Sequence, residues 1–445
     1  MRLLSILAAG LCLGVSTSWA ADHWPQWRGP SGDGVAEAKH PEQWSADEHI
    51  AWKVEVPGVG WSQPIVWDGK VFLTTCLADQ RRPPRPGDWT PGNLSAIFGS
   101  YKRPPNIECE WKVLCLDAAT GKTIWEQTPH TGKPRISIHA NNSYATETCA
   151  TDGERLIAYF GMTGIYCYDL AGQLQWTKDL GSYPTQMDWG TGSSPVMHEE
   201  LVFIQCDNNK DSFLVALDKK TGDEFWRVER DELSNWATPI IWKNSQRTEL
   251  VAGGGTKMRS YDPASGKLLW EMAASGRCSP SPVAAGDLLF VGSADRLTGQ
   301  RGIVAAIKPG ASGDISLEGD STTNEFVLWS SKLSGHRVAS PVVSADCLYL
   351  LEQQAGIVRC LDAKTGNEHY RKRLSGATGL TASPWTSGGK VFCLDQSGQT
   401  FVLAAGPQFH VLHVNKLADE MFWASAAVAG ESLFMRGVDH LYCVK

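Results

Sequence analysis

Apolar residues along this chain fall in short runs broken by glycine, proline and aspartate turns, and the runs recur in a fixed order. Between Ser340 and Tyr370 they read SPVVS, CLYLLE, IVRCLD and a segment ending at Tyr370, with turns at Ala345–Asp346, Ala355–Gly356 and Thr365–Gly366. Runs of this length, bounded by turn residues and without a 3.6-residue period, predict β-strands joined by tight turns. Four such strands form one unit.

The unit repeats. A small hydroxyl residue and a proline open it, as in SQPIVWDGKVFLTT, SSPVMHEELVFIQ, ATPIIWKNSQRTELVAG, SPVAAGDLLFVG, SPVVSADCLYLLE and SPWTSGGKVFCLD, with degraded copies in TETCATDGERLIAYFG and SAAVAGESLFMRG. Anchored on Pro64, Thr148, Pro195, Pro239, Pro282, Pro341, Pro384 and Ala426, the copies lie about 43 residues apart, apart from two longer intervals. Four antiparallel strands in a repeat of that length predict a propeller blade.

The last copy, WASAAVAGESLFMRGVDHLYCVK, stops after three strands, and HIAWKVEVPG from His49 supplies a strand with no blade before it. Pairing the two closes the ring and removes an open sheet edge. The expectation is an all-β fold: an eight-bladed β-propeller of four-stranded antiparallel blades over residues 49–445, with seven blades as the alternative. Residues 21–48 form an N-terminal extension. Two insertions break the period, at 77–108 in blade 1 and at 308–325 in blade 5. The first carries Arg81, Arg82, Arg85, Trp89 and Phe98, side chains suited to touching a partner.

A second phrase closes each unit, as in LCLDAATGKTIW from Leu114 to Trp125. Its aspartate can accept hydrogen bonds from the turn backbone, and its glycine supplies a positive φ. An aromatic follows each such glycine by four residues: Trp125, Trp176, Trp226, Trp270 and Tyr370, with Trp52 and Trp329 in matching strands. These rings are expected at one corner of each blade, docked on a neighbour.

Composition supports strands over helices, with 44 Gly, 23 Pro and 19 Trp. Residues 1–20 combine Arg2, an apolar run and a small-residue exit at Ser18 and Ala20, which predicts a secretory signal peptide, no transmembrane segment after its cleavage, and export to the periplasm or cell envelope. The net charge of -7 comes without a basic block, which argues against a nucleic-acid partner. Cys115, Cys167, Cys360 and Cys443 occupy equivalent places and are expected as small packing residues. Cys76 and Cys109 flank the first insertion and are the candidate disulfide.

The paired phrases resemble the pyrroloquinoline quinone (PQQ) repeat, whose shared feature is the tryptophan-docking motif, and the likeness runs from Trp52 to Lys445. The segments DHWPQWRGPSGDGVA and HANNSYATETCATDGERLIAYFGMTGIYCYDLAGQLQW are similar to those of a bacterial group of exported PQQ-like propellers. Two relatives imply opposite functions. Quinoprotein alcohol dehydrogenases hold PQQ and calcium in the central funnel beside adjacent cysteines, whereas BamB is an envelope scaffold. This chain has no adjacent cysteines and no CxxCH.

Residues just before each innermost strand should gather at one mouth of the channel: Trp61, His139, Asn141, Asn142, Asp188, Trp189, Asn235, Trp236, Arg277, His336, Arg337, Glu420, Phe422 and Trp423. Aromatic faces, arginines and oxygens suit a flat anionic ligand, and they also suit a plug that satisfies the narrow end of the ring. Asp188 is the candidate base if the protein is an enzyme. Asn141, Asp188 and Glu420 are the oxygen donors a calcium ion would need, although no motif stands behind them. No metal site is assigned. The expected function is that of an exported, non-catalytic binding or scaffold propeller, whose partner is an envelope protein or a small anionic ligand. The alternative is a PQQ-dependent alcohol or sugar dehydrogenase.

Overall fold

The computed structural model describes residues 22–78, 106–274, 276, 279–293, 302–333, 338–353 and 356–445. The expected signal peptide at 1–20, most of the first insertion (79–105, with its arginines, Trp89 and Phe98), Arg277, His336 and Arg337 lie outside the described residues.

Eight antiparallel sheets follow one another along the chain. Blade 1 comprises Ile65–Trp67, Lys70–Ala78, Cys109–Asp117 and Thr123–Gly132. Blades 2 to 7 repeat the order, and blade 8 is built from Ala427–Ala429, Ser432–Arg436 and His440–Val444. Ile50–Glu55 pairs antiparallel with His440–Val444 and completes that last sheet, with Trp52 opposite Cys443. The innermost strand of each blade is short and is followed by a tight turn. In blade 6 that turn is Ala345 and Asp346, at φ 50° and 57°, the left-handed pair that a two-residue hairpin requires. Its outermost strand runs through Tyr370 to Arg373 rather than ending on the ring.

The cores lie between blades. Trp125 donates its indole N–H to Leu170 O, Trp176 to Lys219 O, Trp226 to Pro263 O and Trp329 to Ala363 O, each in the following blade. Trp52 does the same to Ala118 O, docking blade 8 on blade 1. The acceptor is always the residue after the turn aspartate, and Asp117 fixes its turn by accepting from Thr120 N at 2.8 Å and Thr120 Oγ1 at 2.7 Å. Those bonds hold the Asp117 carboxyl below its ordinary pKa.

Trp270 is the exception, and the second insertion explains it. Blade 5 lacks the aspartate turn. Instead Gly313–Asp314 adds a fifth strand to blade 4, parallel to Leu268–Ala273, with Trp270 opposite Gly313. The fully buried Trp270 indole donates to Glu249 Oε2 of its own blade at 2.7 Å. The insertion therefore covers an edge strand and replaces the missing turn.

The N-terminal extension also joins the sheets. Val35–Ala36 pairs parallel with Thr386 and Ser387 at the innermost strand of blade 7.

Candidate functional site

In seven of the eight blades the residue two positions before the innermost strand carries a hydroxyl, and these hydroxyls interlock around the axis. The backbone N–H of Gln63 donates to Thr148 Oγ1, that of Thr148 to Ser194 Oγ, that of Ser194 to Thr238 Oγ1, and that of Thr238 to Ser281 Oγ. The chain continues from Ser281 to Ser340, Ser340 to Ser383, and Ser383 to Ser425, every bond being 2.9 to 3.0 Å. Blade 1 has Gln63 where its siblings have Ser or Thr. Gln63 closes the circle differently, donating Nε2 to Ala426 O at 2.5 Å. Arg436 of blade 8 braces the same seam, its Nη1 reaching Ser62 Oγ at 2.6 Å and Thr74 O at 2.7 Å.

The ring separates two mouths. At one, the segment from Trp24 to Ala36 crosses the opening: Trp24 exchanges hydrogen bonds with Val66, Pro25 O accepts from Thr151 N, and Gln26 Oε1 accepts from Met197 N. Farther along, Trp27 Nε1 reaches Ser281 Oγ at 3.4 Å, Arg28 Nη2 reaches Pro341 O at 2.5 Å, and Gly34 O accepts from Thr386 N. Six blades thus hold one strap.

The described rim candidates before the inner strands occupy the other mouth. Trp61 stacks on Trp423, with centroids 5.7 Å apart, and donates its N–H to Asn141 O at 2.8 Å. Trp189 meets Trp236 at 5.7 Å and His139 edge-on at 5.8 Å. The structure therefore brings Trp423, Trp61, Asn141, His139, Trp189 and Trp236 into one arc. His139 is buried and its Nδ1 accepts from Asn141 N, while desolvation pushes the imidazole pKa down to about 4. Such a ring stays neutral at physiological pH.

Several polar candidates turn inward. Asn142 Nδ2 holds Trp189 O and Thr191 O, and its Oδ1 accepts from Ser143 N and Thr146 Oγ1. Asn235 joins the buried Asp207–Arg230 pair, donating to Asp207 and Gly253 O. Glu420 is buried in blade 8, where it accepts from Asp439 N, His440 N and Tyr442 Oη. Its oxygens are engaged by protein donors, so the proposed calcium shell of Asn141, Asp188 and Glu420 does not fit this arrangement. Asp188 is partly exposed beside Trp189, on a turn where Met187 and Asp188 both adopt positive φ. Among the described residues no group of three His, Cys, Asp or Glu side chains could hold a metal ion.

Sequence reasoning did not assign the hydroxyl ring, the strap with Arg28, or the seam residues Gln63 and Arg436. The signal was on view as the small hydroxyl residue before each proline, but its partner is always a whole repeat away.

Comparison with known proteins bears on the whole ring. A family model described as outer membrane protein assembly factor BamB matches residues 110–244, 210–308 and 320–437. The outer membrane protein assembly factor BamB of Moranella endobia (strain PCIT) is 22% identical over 257 residues, which are 54% of this chain and 62% of that relative, so the match spans less than two thirds of its length. BamB from Moraxella catarrhalis superposes with a TM-score of 0.56 at 12% identity, covering 83% of this chain and 98% of that one. Quinohemoprotein alcohol dehydrogenase ADHIIG from Pseudomonas putida HK5 gives 0.58 at 11% identity over 95% of this chain and 80% of that one. At such identities the two solved structures share the fold alone.

Proposed function

The chain belongs to the outer membrane protein assembly factor BamB family, and from that premise we propose that it is an exported, non-catalytic propeller that binds another protein of the bacterial envelope. The rim arc is the binding surface. One observation carries this reading: the hydrogen-bonding side chains Asn142, Asn235 and Glu420 are engaged by their own protein, whereas Trp423, Trp189 and Trp236 remain partly exposed. Rigid, half-exposed indoles with satisfied surroundings suit a protein partner. The relative's printed role in outer membrane protein assembly supports the same direction.

The test is site-specific photocrosslinking in cells from Trp423 and Trp189, with a control position at Lys372 on the outer strand of blade 6. A crosslink to an outer-membrane assembly protein from the rim and not from Lys372 supports the proposal. Saturable PQQ binding by the purified protein, with dye reduction lost in Asp188→Asn, refutes it.

A further inference from the structure

Given the protein-binding reading of the rim, on which this rests, we infer that Asp188, Trp189 and Trp236 form a subsite for an arginine side chain of the partner.

The turn that carries Asp188 is strained. Met187 and Asp188 stand at φ 51° and 54°. A similar pair, Ala345 and Asp346, closes a two-residue hairpin. Here no hairpin follows, because the segment leads from Leu174–Lys178 of blade 2 to Val196–His198 of blade 3. Aspartate tolerates the left-handed region through its short polar side chain, and methionine does not. The surroundings hold the turn in place nonetheless. Thr185 O accepts from Asp188 N at 3.2 Å, Thr185 Oγ1 from Gly190 N at 3.0 Å, and Trp189 O from Asn142 Nδ2 at 2.8 Å. Strain that the neighbours over-determine is typical of ligand clamps.

The turn sets a carboxylate beside an indole. Asp188 and Trp189 are both partly exposed, and Trp236 lies 5.7 Å from Trp189. Among the described residues the Asp188 carboxylate has no hydrogen bond and no ion pair. Other acids near the rim are engaged: Glu420 accepts from Asp439 N and Tyr442 Oη, and Asp207 pairs with Arg230.

An indole face attracts a cation, and a guanidinium suits both groups. Its plane stacks on the ring while its edge N–H groups reach the carboxylate. A lysine ammonium is a hydrated point charge without that planar edge. Consecutive Cα atoms lie about 3.8 Å apart, so one arginine side chain spans Asp188 and Trp189. The net charge of -7 favours the approach of a basic segment.

Titrating the purified protein with the capped peptides GGRGG, GGKGG and GGEGG, while following the ¹⁵N-labelled indole N–H resonances, tests this. Trp189→Phe and Trp236→Phe assign the two signals. The expected result is that GGRGG shifts both, GGKGG binds more weakly and GGEGG shifts neither. Asp188→Asn keeps the shape and the left-handed turn, and should weaken GGRGG binding about tenfold. Equal affinity for GGRGG and GGKGG, equal shifts with GGEGG, or an unchanged Kd in Asp188→Asn overturns the proposal. Rim photocrosslinking fails separately: an adduct without the arginine effect sinks the subsite alone, and the arginine effect without an adduct sinks the protein-binding reading.

Discussion

The indole of Trp125 covers the α-carbon of Gly172 in the next blade, where an added Cβ would fall 2.8 Å from the ring. The same contact recurs between Trp176 and Gly222, Trp226 and Gly266, and Trp329 and Gly366. Glycine is thus required twice over at these turns, for its positive φ and for the space the next ring occupies.

The two requirements can be separated. Gly172→Ala should destabilise by about 2–4 kcal/mol, because steric overlap adds to the backbone strain. Gly389 has φ 75° and nothing within 4 Å, so Gly389→Ala should cost only about 1 kcal/mol. Equal denaturation midpoints for the two variants would contradict the docking account.

Glu249 of blade 4 supplies the acceptor that the missing aspartate turn of blade 5 would have offered Trp270. It is fully buried and accepts from Trp270 Nε1, Ser260 Oγ, Arg247 Nε and Asn244 Nδ2. Glu249→Ala should cost about 3 kcal/mol or more, since it leaves several donors without partners. Chemical denaturation measures this directly, and a loss below about 1 kcal/mol would contradict the role given to Glu249.

The docking phrase was legible in the sequence because every copy contains its own aspartate, glycine and aromatic. The blade count followed from spacing, and Trp52 showed its place by lacking a preceding blade. Side-chain direction was harder to read. Position before an inner strand places Glu420 and Asn235 at a mouth, yet Glu420 serves the Asp439–His440 turn and Asn235 serves Asp207. Those partners come from other strands and leave no local signature. Gln63 stands where the other blades carry a hydroxyl, and its reason lies across the closing seam at Ala426. The strap is not itself a repeat, so no period pointed to it.

Stability should depend on pH through Glu147. Burial pushes its carboxyl up from 4.5 to about 7, and its Oε1 meets no donor among the described residues. A carboxyl with a raised folded pKa costs nothing below pH 4.5 and costs most above 7, so its contribution falls as pH rises through that window. His139 and His40 act oppositely. Burial lowers both to about 4, so each contributes stability that grows between pH 4 and 6.5. Glu147→Gln should therefore keep the rise and lose the fall, gaining about 3 kcal/mol over the wild type at pH 8 and little at pH 4. Melting curves at both values check it, and a parallel offset at the two pH values would contradict it.

We propose that Cys76 and Cys109 bridge the neck of the first insertion. Both are buried, and the register sets Cys76 opposite Trp111 and Cys109 opposite Ala78, diagonal positions on one face that must draw closer for the bond to form. Closing that loop should add about 3–4 kcal/mol. Non-reducing peptide mapping should recover the linked pair, and full alkylation of both thiols without reductant would rule the bridge out.

The central claim is that the aromatic rim engages an envelope protein. Photocrosslinking in living cells from Trp423 and Trp189, with Lys372 as control, tests it most directly. A specific adduct with an outer-membrane assembly protein, formed at the rim alone, is the predicted result. No rim adduct, or adducts equally abundant at Lys372, would contradict it.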